Sequence, residues 1–119
     1  MTRWKGNWKQ MSESEKKDAE KLLRLLGLCA RARRLVYGTM PICDGLRDKK
    51  EILLVLMAEG VSENTRKRLS DRCQYYGVRL ESAGVSPEVL AHVLGRGGEL
   101  AAVGVTDKHF AAGLEALLG

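Results

Sequence analysis

Apolar residues recur three and four apart behind Ser12. Leu22, Leu25, Leu26, Cys29 and Ala32 fall on one stripe, which predicts an amphipathic helix over about residues 13–32. Ser12 with Glu15 three residues on has the form of a capping box, each side chain satisfying an N–H that the first helical turn leaves free. The pattern then shortens. Leu35-Val36-Tyr37 reads as a brief strand stopped by Gly38. A second helix starts between Thr39 and Pro41, because proline is tolerated in a first turn whose N–H groups have no intrahelical acceptor. Residues 52–57 (ILLVLM) are apolar without alternation, the mark of a strand buried on both faces. Beyond Gly60, Ser62 caps a third helix that turns Leu69, Cys73 and Tyr76 inward and ends at Gly77. Residues 78–81 form a short strand. Ser86-Pro87 opens a fourth helix ended by Gly95. Residues 100–105 are another apolar strand, and Thr106 caps a last helix with Phe110, Leu114, Leu117 and Leu118 on one face.

A helix before each strand, repeated, with one helix left at the end, predicts an α/β fold: a three-layer α/β/α sandwich with a four-stranded mixed sheet. The 119 residues suit one domain. A chain of this length buries roughly two thirds of its extended surface and needs no staples. It divides into residues 1–11 (MTRWKGNWKQM), a basic tail without periodicity that is expected to be flexible, and a single domain over 12–119.

Charge changes the picture more than composition does. The net charge is +5, yet residues 1–36 hold ten Lys/Arg against four Asp/Glu, and the remainder ten against eleven. Basicity confined to the first third points to a polyanionic partner, nucleic acid before membrane, against the plainer reading of solvated helix faces. Trp4 and Trp8 stand among Arg3, Lys5 and Lys9, where they could stack on unpaired bases or simply pack loosely on the domain. Three cysteines with no Cys-x-x-Cys spacing argue against a disulfide framework and against zinc, and Cys29 and Cys73 fall on apolar helical positions that suit buried thiols. A polar amino-terminus and the lack of an apolar run of about 18 residues point to a cytoplasmic protein without a membrane partner.

No cofactor, metal or catalytic set emerges. His92 and His109 have no ligand-type neighbours at coordinating spacing. Asp71 and Asp107 read as solvated or capping groups. Gly95-Arg96-Gly97-Gly98 follows a helix and precedes a strand, the reverse of the order in a phosphate-cradling loop. What remains is Gly38, which ends a strand and opens a helix. A helix N-terminus offers free N–H donors and a positive dipole end, and a glycine there lets a ligand backbone approach. Arg31, Arg33 and Arg34 lie just upstream, able to bind flanking phosphates or to complement the first helix's C-terminal dipole.

Six short segments in order carry a resemblance: Leu25-Leu26-Gly27-Leu28-Cys29-Ala30-Arg31-Ala32, Leu35-Val36-Tyr37-Gly38, residues 54–58 with Glu59, Ser62-Glu63-Asn64-Thr65, Cys73-Gln74-Tyr75-Tyr76-Gly77-Val78, and Val105-Thr106-Asp107-Lys108. Over about residues 20–118 the chain resembles the bacterial Ylx-Q type branch of the kink-turn-binding ribosomal protein family. That family also holds archaeal ribosomal protein seven-ae and eukaryotic ribosomal protein thirty-e. The resemblance implies an α/β/α fold and binding to kink-turn or similarly bent RNA through Gly-x-Asn-Glu-x-x-Lys at the start of the second helix; with no catalytic or cofactor motif in the sequence, no enzymatic activity is expected. Gly38 matches the glycine. Met40, Pro41 and Asp44 replace the Asn, Glu and Lys, so the groups that read sheared G·A pairs are absent. Glu59 matches the acidic residue after the central strand, and Gly60 stands where an Asp is common. A second RNA-facing loop falls at Arg96, Gly97 and Gly98, which reads equally as a phosphate contact or as a surface turn.

The expected RNA-binding set is therefore Arg33, Arg34, Gly38, Thr39, Met40, Glu59, Arg96, Gly97 and Gly98. The expected partner is structured RNA, ribosomal RNA or the ribosome first, read more by shape and charge than by base identity. The alternative is a protein–protein module on the same fold, with Met40, Pro41 and Ile42 opening an apolar patch. The sequence names neither the particular RNA nor an oligomeric state.

Overall fold

A computed structural model describes residues 12–48 and 51–119. The basic tail, with Trp4 and Trp8, lies outside the described residues. So does the Glu15 side chain on which the capping box rests.

Nine elements alternate: α1 (Glu13–Arg31), β1 (Leu35–Tyr37), α2 (Thr39–Arg47), β2 (Leu54–Met57), α3 (Glu63–Tyr76), β3 (Arg79–Ser82), α4 (Pro87–Val93), β4 (Ala102–Val105) and α5 (Lys108–Leu118). The sheet order is β1-β4-β2-β3. β4 is antiparallel to both neighbours, and β2 and β3 are parallel, so the sheet is mixed as expected. Burial follows position. Every residue of the two inner strands, β2 and β4, is buried, while both edge strands are half-buried.

Two apolar layers sandwich the sheet. Leu22, Leu26 and Cys29 of α1 meet Leu90, Ala91, Leu114 and Leu118 of α4 and α5 over Leu54, Leu56, Val103 and Val105. On the other face, Ile42 and Leu46 of α2 and Leu69 and Cys73 of α3 cover Val55, Met57 and Ala102. Alternate residues of β2 thus enter opposite layers, as a two-fold side-chain period requires. Gly104 is the thin point of β4. A Cβ there would stand 3.1 Å from Ile52 Cγ2 and 3.5 Å from Ile42 Cγ1. Its missing side chain lets α2 sit close to the sheet.

Several boundaries differ from the expected ones. Leu100 precedes its strand, its N–H bonded to the Pro87 carbonyl at 3.0 Å. Ala32 is exposed in the turn after α1 and is not part of the apolar stripe. Thr106 does not cap α5. Asp107 does, its Oδ1 accepting from the N–H groups of His109 (2.8 Å) and Phe110 (3.1 Å), and these bonds hold its carboxyl below the usual range. Thr106 Oγ1 instead donates to the Arg34 carbonyl at 3.0 Å, tying the start of β1 to the end of β4.

All three cysteines are free and buried. Burial, with Asp107 nearby, pushes the Cys29 thiol up to about 11, and burial beside Cys43 pushes Cys73 up to about 11. Only the thiolate attacks disulfide reagents. In the native protein at pH 8 a disulfide-exchange dye is therefore expected to label none of the thiols rapidly, and all three once denaturant is added. A fast native phase of one equivalent would contradict this packing.

Candidate functional site

The sheet has two ends, and most of the expected residues gather at one of them. The N–H of Gly38 bonds the Ala102 carbonyl at 2.9 Å, and the N–H of Ala58 bonds the Ala101 carbonyl at 2.7 Å. Gly38 and the segment leading to Glu59 therefore flank the start of β4 on its two sides, about 10 Å apart at ordinary strand spacing. The loop carrying Arg96, Gly97 and Gly98 enters β4 at this same end.

Gly38 has φ 93° and ψ 159°. That region is populated essentially by glycine alone, so the backbone demands this residue whether or not a ligand binds. A Cβ added here would lie 3.7 Å from Pro41 Cδ, an ordinary contact, so the demand is one of dihedral angle and not of space. No side chain caps α2. The Gly38 carbonyl takes the Ile42 N–H at 3.1 Å. The N–H groups of Thr39 and Met40 precede that first bond and have no intrahelical acceptor, and Pro41 has no N–H to offer. Two donors at a positive dipole end are thus left on the surface.

Three side chains frame them. The Arg96 guanidinium lies 4.0 Å from the centre of the Tyr37 ring, a cation–π contact that fastens the α4–β4 loop beside Gly38. Met40 is 55% exposed, and Arg68 of α3 donates to its sulfur at 3.4 Å. Glu59 is half-buried at the end of β2. Its N–H bonds the Val85 carbonyl at 2.7 Å, but its Oε1 is buried without a hydrogen-bond partner among the described residues. A carboxylate oxygen in that condition is costly, so a turn of the side chain that gave it a donor would be favoured.

Tyr37 and Arg68 were missed by sequence reasoning. The sequence shows Tyr37 only as part of a strand. Arg68 lies within the Arg66-Lys67-Arg68 run, and only the packing of α3 on α2 selects it as the cation beside Met40. Asp44, where the family pattern has a lysine, is paired with Arg47 at 3.4 Å, which moderates its negative charge.

Arg33 and Arg34 do not join this end. They precede β1, whereas Gly38 follows it, so roughly 13 Å of extended chain separates Arg34 from Gly38. Both are exposed. The close of α1 explains their placement. Arg34 N–H bonds the Cys29 carbonyl and Arg33 N–H the Ala30 carbonyl, a paired closure repeated after α3 by Val78 and Gly77 and after α4 by Arg96 and Gly95. The left-handed position belongs to Gly77 and Gly95 in two cases and to Arg33, at φ 59°, in the third. A side chain there costs about 1–2 kcal/mol relative to glycine.

Among the described residues no three His, Cys, Asp or Glu side chains gather as a metal-holding group, and no helix is long and apolar enough to cross a membrane.

Comparison with known proteins agrees with this architecture. No family model matches the chain. A solved structure of a protein of unknown function from Bacillus halodurans superposes with a TM-score of 0.75 at 32% identity, covering 82% of this chain and 96% of that one. The Giardia lamblia 15.5kD RNA binding protein superposes with a TM-score of 0.65, covering 85% and 90%; its 16% identity shows a common fold alone. The class is thus the α/β/α sandwich with a four-stranded mixed sheet. RNA-binding protein YlxQ of Bacillus subtilis (strain 168) is 38% identical over 94 residues, 79% of this chain and 91% of that protein. A protein of the same name from Enterococcus faecium is 38% identical over 60 residues, 50% of this chain and 56% of its own. The chain belongs to the YlxQ family.

Proposed function

We propose that this protein is a non-enzymatic binder of structured RNA, and that it takes kink-turn-like or otherwise bent RNA at the sheet end formed by Gly38, Thr39, Met40, Glu59 and Arg96. The observation that carries the reading is the Arg96–Tyr37 contact at 4.0 Å, which sets a cation and two glycines directly beside an uncapped helix N-terminus. The names of its YlxQ relatives, both RNA-binding proteins, support it.

The parts divide the work. The Thr39 and Met40 N–H groups meet phosphate or base acceptors. Arg96 keeps its outer N–H edge for phosphate while its face rests on Tyr37. The Glu59 carboxylate, turned outward, accepts from a base amino or imino group. Met40 supplies apolar surface to an unstacked base. Gly97 and Gly98 keep the loop thin where the RNA backbone passes. With Met40 and Pro41 in place of base-reading side chains, shape dominates over sequence. The family resemblance favours ribosomal RNA as the target, and the cytoplasm as the place where it is met.

The test is a fluorescence titration against a kink-turn hairpin, the same hairpin with its G·A pairs replaced, and a plain duplex. The bent RNA is expected to bind more tightly than the duplex, and replacing the G·A pairs is expected to cost less than about fivefold, below the 1–3 kcal/mol of a good base-reading pair. Arg96→Ala is expected to weaken all three RNAs by about tenfold, the worth of one charged hydrogen bond, and to flatten the salt slope by roughly one phosphate contact. Equal affinity for hairpin and duplex, or an Arg96→Ala loss confined to one RNA, counts against the reading.

A further inference from the structure

We infer that the groove between α1 and the end of α4 carries the backbone of one RNA strand leaving the bend, so that the cations at the two ends of β1 form one phosphate track. The inference rests on the Gly38 end being an RNA site and adds where the flanking helix goes. The groove, about 430 Å³, is lined by Arg24, Gly27, Leu28, Arg31, His92 and Gly95 among others, and among the described residues no carboxylate lines it. Gly27 faces the end of α4 across the groove: a Cβ there would stand 3.9 Å from the Val93 carbonyl oxygen, an ordinary contact.

Charge and continuity select the occupant. Arg24 and Arg31 are seven residues apart, two turns of α1, and so share one face about 10 Å from each other. Neither they nor His92 forms an ion pair among the described residues. Both helices end at the groove, and helix C-termini ordinarily repel anions. Here most of the last-turn carbonyls, though not those of Arg31 and Val93, are already engaged. Ala32, Arg34 and Arg33 cover Leu28, Cys29 and Ala30, and Leu94, Gly95 and Arg96 cover Leu90, His92 and Ala91. One end of the groove runs through Arg31 to Arg33 and Arg34. The other runs through Gly95 to Arg96 and the Tyr37–Gly38 platform. The groove thus spans the gap that separates Arg34 from Gly38 along the edge strand. It also puts four of the ten basic residues of 1–36 (Arg24, Arg31, Arg33 and Arg34) on one track, and gives a use for a cation at the left-handed Arg33 position, where glycine would be unstrained.

The experiment compares a kink-turn hairpin with minimal stems against versions in which each stem in turn is lengthened by ten base pairs. Lengthening one stem, and not the other, is expected to raise affinity about tenfold at low salt. Arg24→Gln with Arg31→Gln is expected to erase that gain and flatten the salt slope by about 1.5 to 2, while affinity for the minimal hairpin stays unchanged. Arg33→Gly, which relieves its backbone and so cannot unfold the protein through strain, is expected to remove part of the gain. Arg24→Lys with Arg31→Lys is expected to keep most of it. If the minimal hairpin binds but neither lengthened stem gains, or if the glutamine pair leaves the gain intact, the groove serves another partner and the inference falls alone. If the minimal hairpin itself does not bind, the proposed function falls and takes the groove with it.

Discussion

Gly38→Glu is expected to lower affinity for the bent RNA at least about a hundredfold, roughly 2.7 kcal/mol, as read by titration at low salt. Two causes combine. A carboxylate at the opening of α2 occupies the approach to the Thr39 and Met40 N–H groups and meets the phosphates they would bind. The substitution also forces a side chain into a glycine-only region of backbone space, at φ 93° and ψ 159°. That second effect costs about 1–3 kcal/mol of stability without any RNA present. Gly38→Ala separates the two. It carries the same strain and no charge, so the melting temperature should fall alike in both variants while RNA affinity falls far more in the glutamate variant. Equal loss of affinity in the two would assign Gly38 to the backbone alone.

The second large effect is expected at Gly104, far from any solvent. Gly104→Val drives branched carbons into Ile52 and Ile42, which already stand 3.1 and 3.5 Å from where a Cβ would begin. Overpacking of this kind costs about 1–3 kcal/mol, a fall of roughly 5–10 °C in melting temperature for a domain of this size. The strain has a direction. Ile42 lies in the first turns of α2, so relief comes by lifting α2 from the sheet and with it the Gly38 platform. RNA affinity measured well below the melting temperature should therefore fall too. Unchanged affinity in a destabilised Gly104→Val protein would mean that the position of α2 does not govern the site.

The architecture was legible in the sequence because each layer writes its own period. Three- and four-residue spacing marked α1, and the unbroken run at 52–57 marked a strand covered on both sides, as β2 is. Capping residues were legible where the side chain bonds within its own turn: Ser62 accepts from the Thr65 N–H and Ser86 from the Val89 N–H. Thr106 misled because its hydroxyl is taken by a residue 72 positions away, leaving the next residue, Asp107, to cap the helix. No local pattern encodes that choice.

The site was legible only in part, for the same reason. Gly38, Glu59 and the loop at Arg96 could be named from motifs, and the sheet brings them to one end. That Arg96 rests on Tyr37, that Arg68 reaches Met40, and that Glu59 keeps a buried oxygen unpaired among the described residues are all consequences of tertiary contact. Arg33 and Arg34 show the converse. Nearness in sequence suggested nearness to Gly38, but an extended strand carries the chain from one end of the sheet to the other.

The most direct measurement is an amide chemical-shift map of the protein titrated with the minimal kink-turn hairpin. The account expects the largest changes at Gly38, Thr39, Met40, Glu59 and residues 96–98, with the end of α5 and the outer face of α3 beyond Arg68 left unmoved. Changes centred on those quiet surfaces, with Gly38 and Arg96 unaffected at saturation, would contradict it.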